Sequence, residues 1–214
     1  MLPLRVSLLT VLVVMLSTAS LAQSRLVYEG GWTDTASGEA IVSLPEGYDA
    51  DPDRDWPLLL FLHGAGERGD SLAAVGVHGP LKERAAGRDL PFVIVAPQVP
   101  TGSRWTVGRV AAALDAAIAQ YRVDERRVYL TGLSMGGFGT WEAIMRMPDR
   151  FAAAVPICGG GLPLGMSVGM VRTLRNAGGN VRFTVYPDAG HDSWSEAYAS
   201  DDLYTWLLSH HLDD

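Results

Sequence analysis

The segment Arg127 to Trp141, RVYLTGLSMGGFGTW, restricts the fold more than any other stretch of this chain. Val128, Tyr129 and Leu130 predict a buried strand. Gly132, Ser134 and Gly136 then form a G-x-S-x-G pattern, in which small flanking residues let the chain turn sharply from strand to helix and hold a serine hydroxyl clear of the backbone. Phe138, Trp141, Ile144 and Met145 follow at helical spacing. Strand, tight turn and helix therefore occur in the order that a nucleophile elbow requires, and Ser134 is the candidate nucleophile.

The rest of the chain supplies a sheet for that turn to sit on. Leu26 to Glu29 and Glu39 to Leu44 predict two opening strands. Leu58 to Leu62 and Phe92 to Ala96 are continuous apolar runs, the signature of strands buried on both faces of a parallel sheet. Val110, Leu114, Ala117, Ile118 and Tyr121 mark an amphipathic helix between the second of these and the elbow strand. After the elbow helix come a strand over Ala152 to Ile157, a helix over Met166 to Ala177, and a last strand in which Val181, Phe183 and Val185 alternate with polar residues. Leu203, Trp206 and Leu207 make a closing helix. Strands alternating with helices predict an α/β fold, a mostly parallel sheet with helices on both faces. No repeat or linker interrupts it, so residues 23–214 are expected to form one domain.

Residues 1–22 have the layout of a secretory signal: Arg5, then the apolar run Val6 to Leu16, then the small-x-small site Ser20-Leu21-Ala22. The apolar run is shorter than the ~20 residues a membrane span needs, so cleavage rather than a stable membrane anchor is expected. The one cysteine, Cys158, allows no intrachain disulfide. A net charge of −7 without a basic stripe argues against nucleic acid as a partner.

Two further patterns point less clearly to a site. Asp49, Asp51, Asp53 and Asp55 alternate, but Pro52 interrupts them and no central Gly or closing Glu of a calcium loop follows. Gly64, Gly66 and Gly69 satisfy G-x-G-x-x-G with Glu83 further on, yet the match does not follow the first strand and no strand ends at Glu83. A small-residue loop beside the elbow is the better reading. It can aim a backbone N–H, that of Ala65, at the same point as the N–H of Met135, making an oxyanion hole. His63 is expected to order this loop. His78, His210 and His211 have no metal-binding spacing, and neither metal nor cofactor is expected.

FLHGAGERG at 61–69, VAPQ at 95–98, YLTGLSMGGFGTW at 129–141, PICGG at 156–160 and YPDAGHDSW at 186–194 together resemble an α/β-hydrolase. More narrowly they resemble secreted esterases related to polyhydroxybutyrate depolymerases, feruloyl esterases and dienelactone hydrolases, over most of residues 23–214. The resemblance implies Ser134 as nucleophile, His191 as general base and an ester substrate, small or polymer-linked. It also implies a further strand after PICGG, ending in a loop that carries the acid of the triad. Here residues 159–180 contain no Asp or Glu and have room for one crossover helix only. Asp188 is the leading stand-in for the acid, with Asp192 or Glu196 behind it. Trp105 and Trp194 are candidate walls of a substrate pocket. The expected function is a serine carboxylic-ester hydrolase, the alternative a homologue that has lost its acid and binds esters or glycans without cleaving them.

Overall fold

The computed structural model describes residues 23–29, 37–159 and 165–212. The expected signal over 1–22 lies outside them. The opening strands β1 (Gln23–Tyr28) and β2 (Gly38–Ser43) pair antiparallel, and β2 runs antiparallel to β4 (Val93–Pro97). Beyond β4 the sheet is parallel through β3 (Trp56–Leu62), β5 (Val123–Leu133) and β6 (Ala153–Ile157). The six described strands have the order β1-β2-β4-β3-β5-β6.

All seven residues of β3 are buried, and their alternation divides the core. Leu58, Leu60 and Leu62 face a cluster with Val110, Leu114 and Ala117 of α2 (Val107–Gln120) and Ala143 of α3 (Met135–Arg146). Leu59 and Phe61 face the other side, with Leu81 of α1 (Gly79–Ala85), Tyr198 of α5 (Ser193–Ala199), and Tyr204 and Leu207 of α6 (Asp201–Leu208). A buried Leu or Phe contributes roughly 1.5–3 kcal/mol, so a strand apolar on both faces is stable only with helices on each side. Thr106 caps α2 by accepting the Arg109 N–H at 3.3 Å.

Arg84 is the largest fully buried side chain. It donates to the carbonyls of Ser43 (2.6 Å), Phe92 (2.8 Å) and Leu90, and to Ser43 Oγ (3.0 Å), tying α1 to β2 and to the chain entering β4. Burial pushes its guanidinium down to about 10, so it stays charged at neutral pH.

The structure corrects one expected element. The strand expected around Val181, Phe183 and Val185 does not form, and this stretch is irregular chain. Alternation gives only a propensity, and a strand also needs a free edge within reach. The crossover α4 (Gly165–Asn176) has Val171 as its buried residue, and β6, α4 and residues 179–187 all line a cavity of about 1860 Å³. The described sheet thus ends at β6, without either strand that would follow it. Helix α5 follows this stretch at a place where no element was expected.

Candidate active site

The site lies where β3, β5 and β6 end. Register places Leu62 beside Gly132, and Gly132 beside Pro156, so all three strands finish at one level. In a parallel sheet this edge gathers the loops that carry function.

Ser134 joins β5 to α3 with φ 51° and ψ −112°, a region where a non-glycine residue is strained by about 1–3 kcal/mol. Its neighbours explain how the turn is held. A Cβ on Gly132 would lie 2.4 Å from the Gly136 carbonyl oxygen, and one on Gly136 would lie 1.9 Å from that of Leu62. Cβ atoms at Gly137 and Gly139 would meet the Ile157 carbonyl at 2.5 Å and Trp105 at 2.6 Å. The buried face of α3 is accordingly its small-residue face, Gly136, Gly137, Gly139, Thr140 and Ala143, while Phe138 and Met145 are exposed. The Ser134 N–H donates to the Ile157 carbonyl at 2.9 Å and to Cys158 Sγ at 3.3 Å. Cys158, also at positive φ, is a site residue that the sequence did not signal; burial pushes its thiol up, so it is protonated at neutral pH.

Ser134 Oγ and His191 Nε2 are 3.0 Å apart. His191 is exposed, in the loop between residues 187 and 192 that leads into α5. The hydroxyl can therefore pass its proton to the imidazole when the oxygen attacks an electrophile.

The loop after β3 packs directly on this turn. Ala65 opens a 3-10 turn, Ala65–Glu67, and Met135 opens α3, so each N–H stands where a helix offers no acceptor of its own. The contacts of Gly136 with Leu62 and His63, and of Gly64 with Leu133, bring the two loops together. His63 is 1% exposed. The Val99 N–H donates to its Nε2 at 3.0 Å, so Nδ1 carries the proton and donates to the Gly64 carbonyl at 2.6 Å. Burial pushes its pKa down to about 4, which keeps it neutral and structural.

Trp105 is not a pocket wall. It is 3% exposed, donates from Nε1 to the His63 carbonyl at 2.9 Å and stacks edge-on against the His63 ring. Its indole belongs under the loop because the bulky ring fills the space that Gly139 leaves open. Trp194 lies beside His191, with ring centroids 5.4 Å apart and planes at 90°. Asp188 is exposed and, among the described residues, no hydrogen bond or ion pair joins it to His191. The Asp192 carboxylate accepts the Ser195 hydroxyl at 2.8 Å instead, and Glu196 faces the large cavity. No cluster of candidate metal ligands occurs among the described residues.

Sheet order, strained serine turn and serine–histidine contact are those of an α/β-hydrolase, and this chain belongs to that fold class. The profile of the prolyl oligopeptidase family matches residues 103–160, the segment that carries the elbow. Among solved structures a thermostable esterase is 30% identical, with a TM-score of 0.72 over 88% of this chain and 63% of that one. A ferulic acid esterase, 17% identical with a TM-score of 0.65, shares the fold over 86% of this chain and 99% of its own. In sequence, 48% of the chain aligns at 33% identity with the bifunctional acetylxylan esterase/xylanase XynS20E of Neocallimastix patriciarum. A 49% share aligns at 32% identity with poly(3-hydroxyalkanoate) depolymerase C of Paucimonas lemoignei. The chain spans 16% and 28% of the lengths of those two relatives.

Proposed function

We propose that this chain is an exported serine hydrolase of carboxylic esters that works through a Ser134 acyl-enzyme. The observation that carries the reading is the 3.0 Å contact between Ser134 Oγ and His191 Nε2 at a strained elbow. Ser134 Oγ attacks the ester carbonyl while His191 takes its proton. The N–H groups of Ala65 and Met135 receive the oxyanion that develops. Collapse of the tetrahedral intermediate expels the alcohol, which takes the proton back from His191, and water repeats the sequence to release the acid. All of these groups belong to the chain itself, so the reaction draws on no cofactor. Similarity to an acetylxylan esterase and a depolymerase supports an ester substrate, free or attached to a polymer. Export rests on the signal pattern of residues 1–22, and among the described residues no helix is long and apolar enough to cross a membrane.

One observation favours a second reading. Among the described residues no carboxylate is hydrogen-bonded to His191, and the acid's absence in a serine triad costs about 10⁴ in turnover. On that reading the chain binds esters or glycans without cleaving them. A fluorophosphonate probe separates the two. Covalent labelling that disappears in Ser134→Ala, with hydrolysis of p-nitrophenyl acetate abolished in the same variant, supports the esterase. An unlabelled native protein that binds an acetylated oligosaccharide supports the binder.

A further inference from the structure

In a serine–histidine pair the imidazole must be held at one orientation and its positive charge stabilised once the proton has moved, tasks that a carboxylate ordinarily performs. The side chain packed on His191 here is an indole. Trp194 meets it in perpendicular contact, with centroids 5.4 Å apart. Aromatic pairs prefer this edge-to-face geometry, and a cation over the face of an indole, within about 6 Å of its centroid, is attracted by the ring.

The indole is held from several sides. It sits in the first turn of α5, whose buried residues Ala197 and Tyr198 fasten the helix to the sheet; Tyr198 Oη lies 3.0 Å from Thr131 Oγ1 on β5. The preceding residue, Ser193, stands beside Cys158, which accepts the Ser134 N–H. Its flank is covered by His78, 5.6 Å away between centroids and inclined at 62°. The Glu67 carboxylate lies 3.8 Å from His78 Nε2, so Glu67, His78, Trp194 and His191 form one continuous row ending at Ser134.

We propose that Trp194 is a positioning residue for His191: its ring sets the imidazole plane toward Ser134 and stabilises the imidazolium, taking over part of a carboxylate's role, with His78 backing it. The substrate-wall role expected from sequence is thereby replaced by one in which Trp194 acts through His191. This inference rests on the esterase reading, and the two fail separately. If wild-type protein neither hydrolyses p-nitrophenyl acetate nor reacts with the fluorophosphonate, the esterase reading fails first. If wild type is active, the variants judge Trp194 alone.

The experiment compares kcat and KM for p-nitrophenyl acetate in wild type, Trp194→Leu, Trp194→Phe and His78→Asn, with thermal unfolding measured for each. Trp194→Leu is expected to lower kcat by about tenfold with KM within about twofold, as befits one aromatic interaction that strengthens only when charge develops on the imidazole. Trp194→Phe keeps a ring at the same place and restores kcat to within about threefold of wild type. His78→Asn, at a partly exposed position, lowers kcat about threefold and serves if Trp194→Leu does not fold. Unchanged kcat in a folded Trp194→Leu overturns the proposal. So does a rise in KM alone, which marks a substrate wall, or a Phe variant as poor as Leu. Where Leu does not fold, unchanged kcat in His78→Asn overturns it.

Discussion

His63 Nε2 accepts the Val99 amide hydrogen at 3.0 Å while Nδ1–H of the same ring donates to the Gly64 carbonyl. One neutral imidazole thereby joins the end of β3 to the loop after β4, and a second proton on the ring breaks the Val99 bond. The folded pKa, about 4, lies below the ordinary 6.5 because the ring is buried. Above pH 6.5 neither state takes the proton and the contribution of His63 is complete. As pH falls toward 4 the unfolded chain is protonated first and stability drops, by on the order of 3 kcal/mol for this group. Urea unfolding at pH 7.5 and pH 4.5 is expected to show that loss, and His63→Gln to flatten it. An equal pH dependence in the variant counts against the assignment.

Gly136→Ala is expected to damage both fold and reactivity. The added methyl would lie 1.9 Å from the Leu62 carbonyl oxygen, where no flexible side chain can yield. Overpacking against backbone costs about 3 kcal/mol or more, lowering Tm by roughly 6–12 °C in a chain of this size. Calorimetry tests the first expectation and fluorophosphonate labelling the second. A variant with wild-type Tm and labelling rate would mean that the two loops are not packed as described.

Arg84→Leu removes the donor shared by Ser43, Leu90 and Phe92 and leaves buried carbonyls without it. Loss of about 3 kcal/mol is expected, read from the urea midpoint. Arg84→Lys should recover little, because a single ammonium cannot match the planar fork that reaches carbonyls on separate segments. Recovery by Lys would show that charge alone suffices there.

Asp188→Asn is expected to leave p-nitrophenyl acetate turnover within about twofold of wild type, since no hydrogen bond joins Asp188 to His191 among the described residues. A loss of a hundredfold or more would place this carboxylate on the imidazole during the reaction.

The elbow and the central strands could be read in the sequence because their causes are local. Ser134 needs small neighbours to make its turn, and Leu58 to Leu62 needs cover on both faces whatever lies farther away. Val181 to Val185 misled because alternation records what a segment prefers, whereas a ladder depends on an edge within reach, here withheld by the short crossover through α4. Helix α5 had a signal in Trp194, Ala197 and Tyr198, at i, i+3 and i+4, which the turn-like run Pro187 to Asp192 obscured. Phe138 and Met145 masked the glycine face of α3, where close approach to the sheet outweighs hydrophobic area. Trp105 and Trp194 were indistinguishable as letters. Only tertiary packing sends one indole beneath the loop of His63 and sets the other against His191.

The contact between Gly136 and the Leu62 carbonyl also has a mechanical side. With no side chain between them, the end of one strand and the start of one helix form a common joint. Packed backbone against backbone, neither can shift without the other, so Ala65 and Ser134 rest on one shared support.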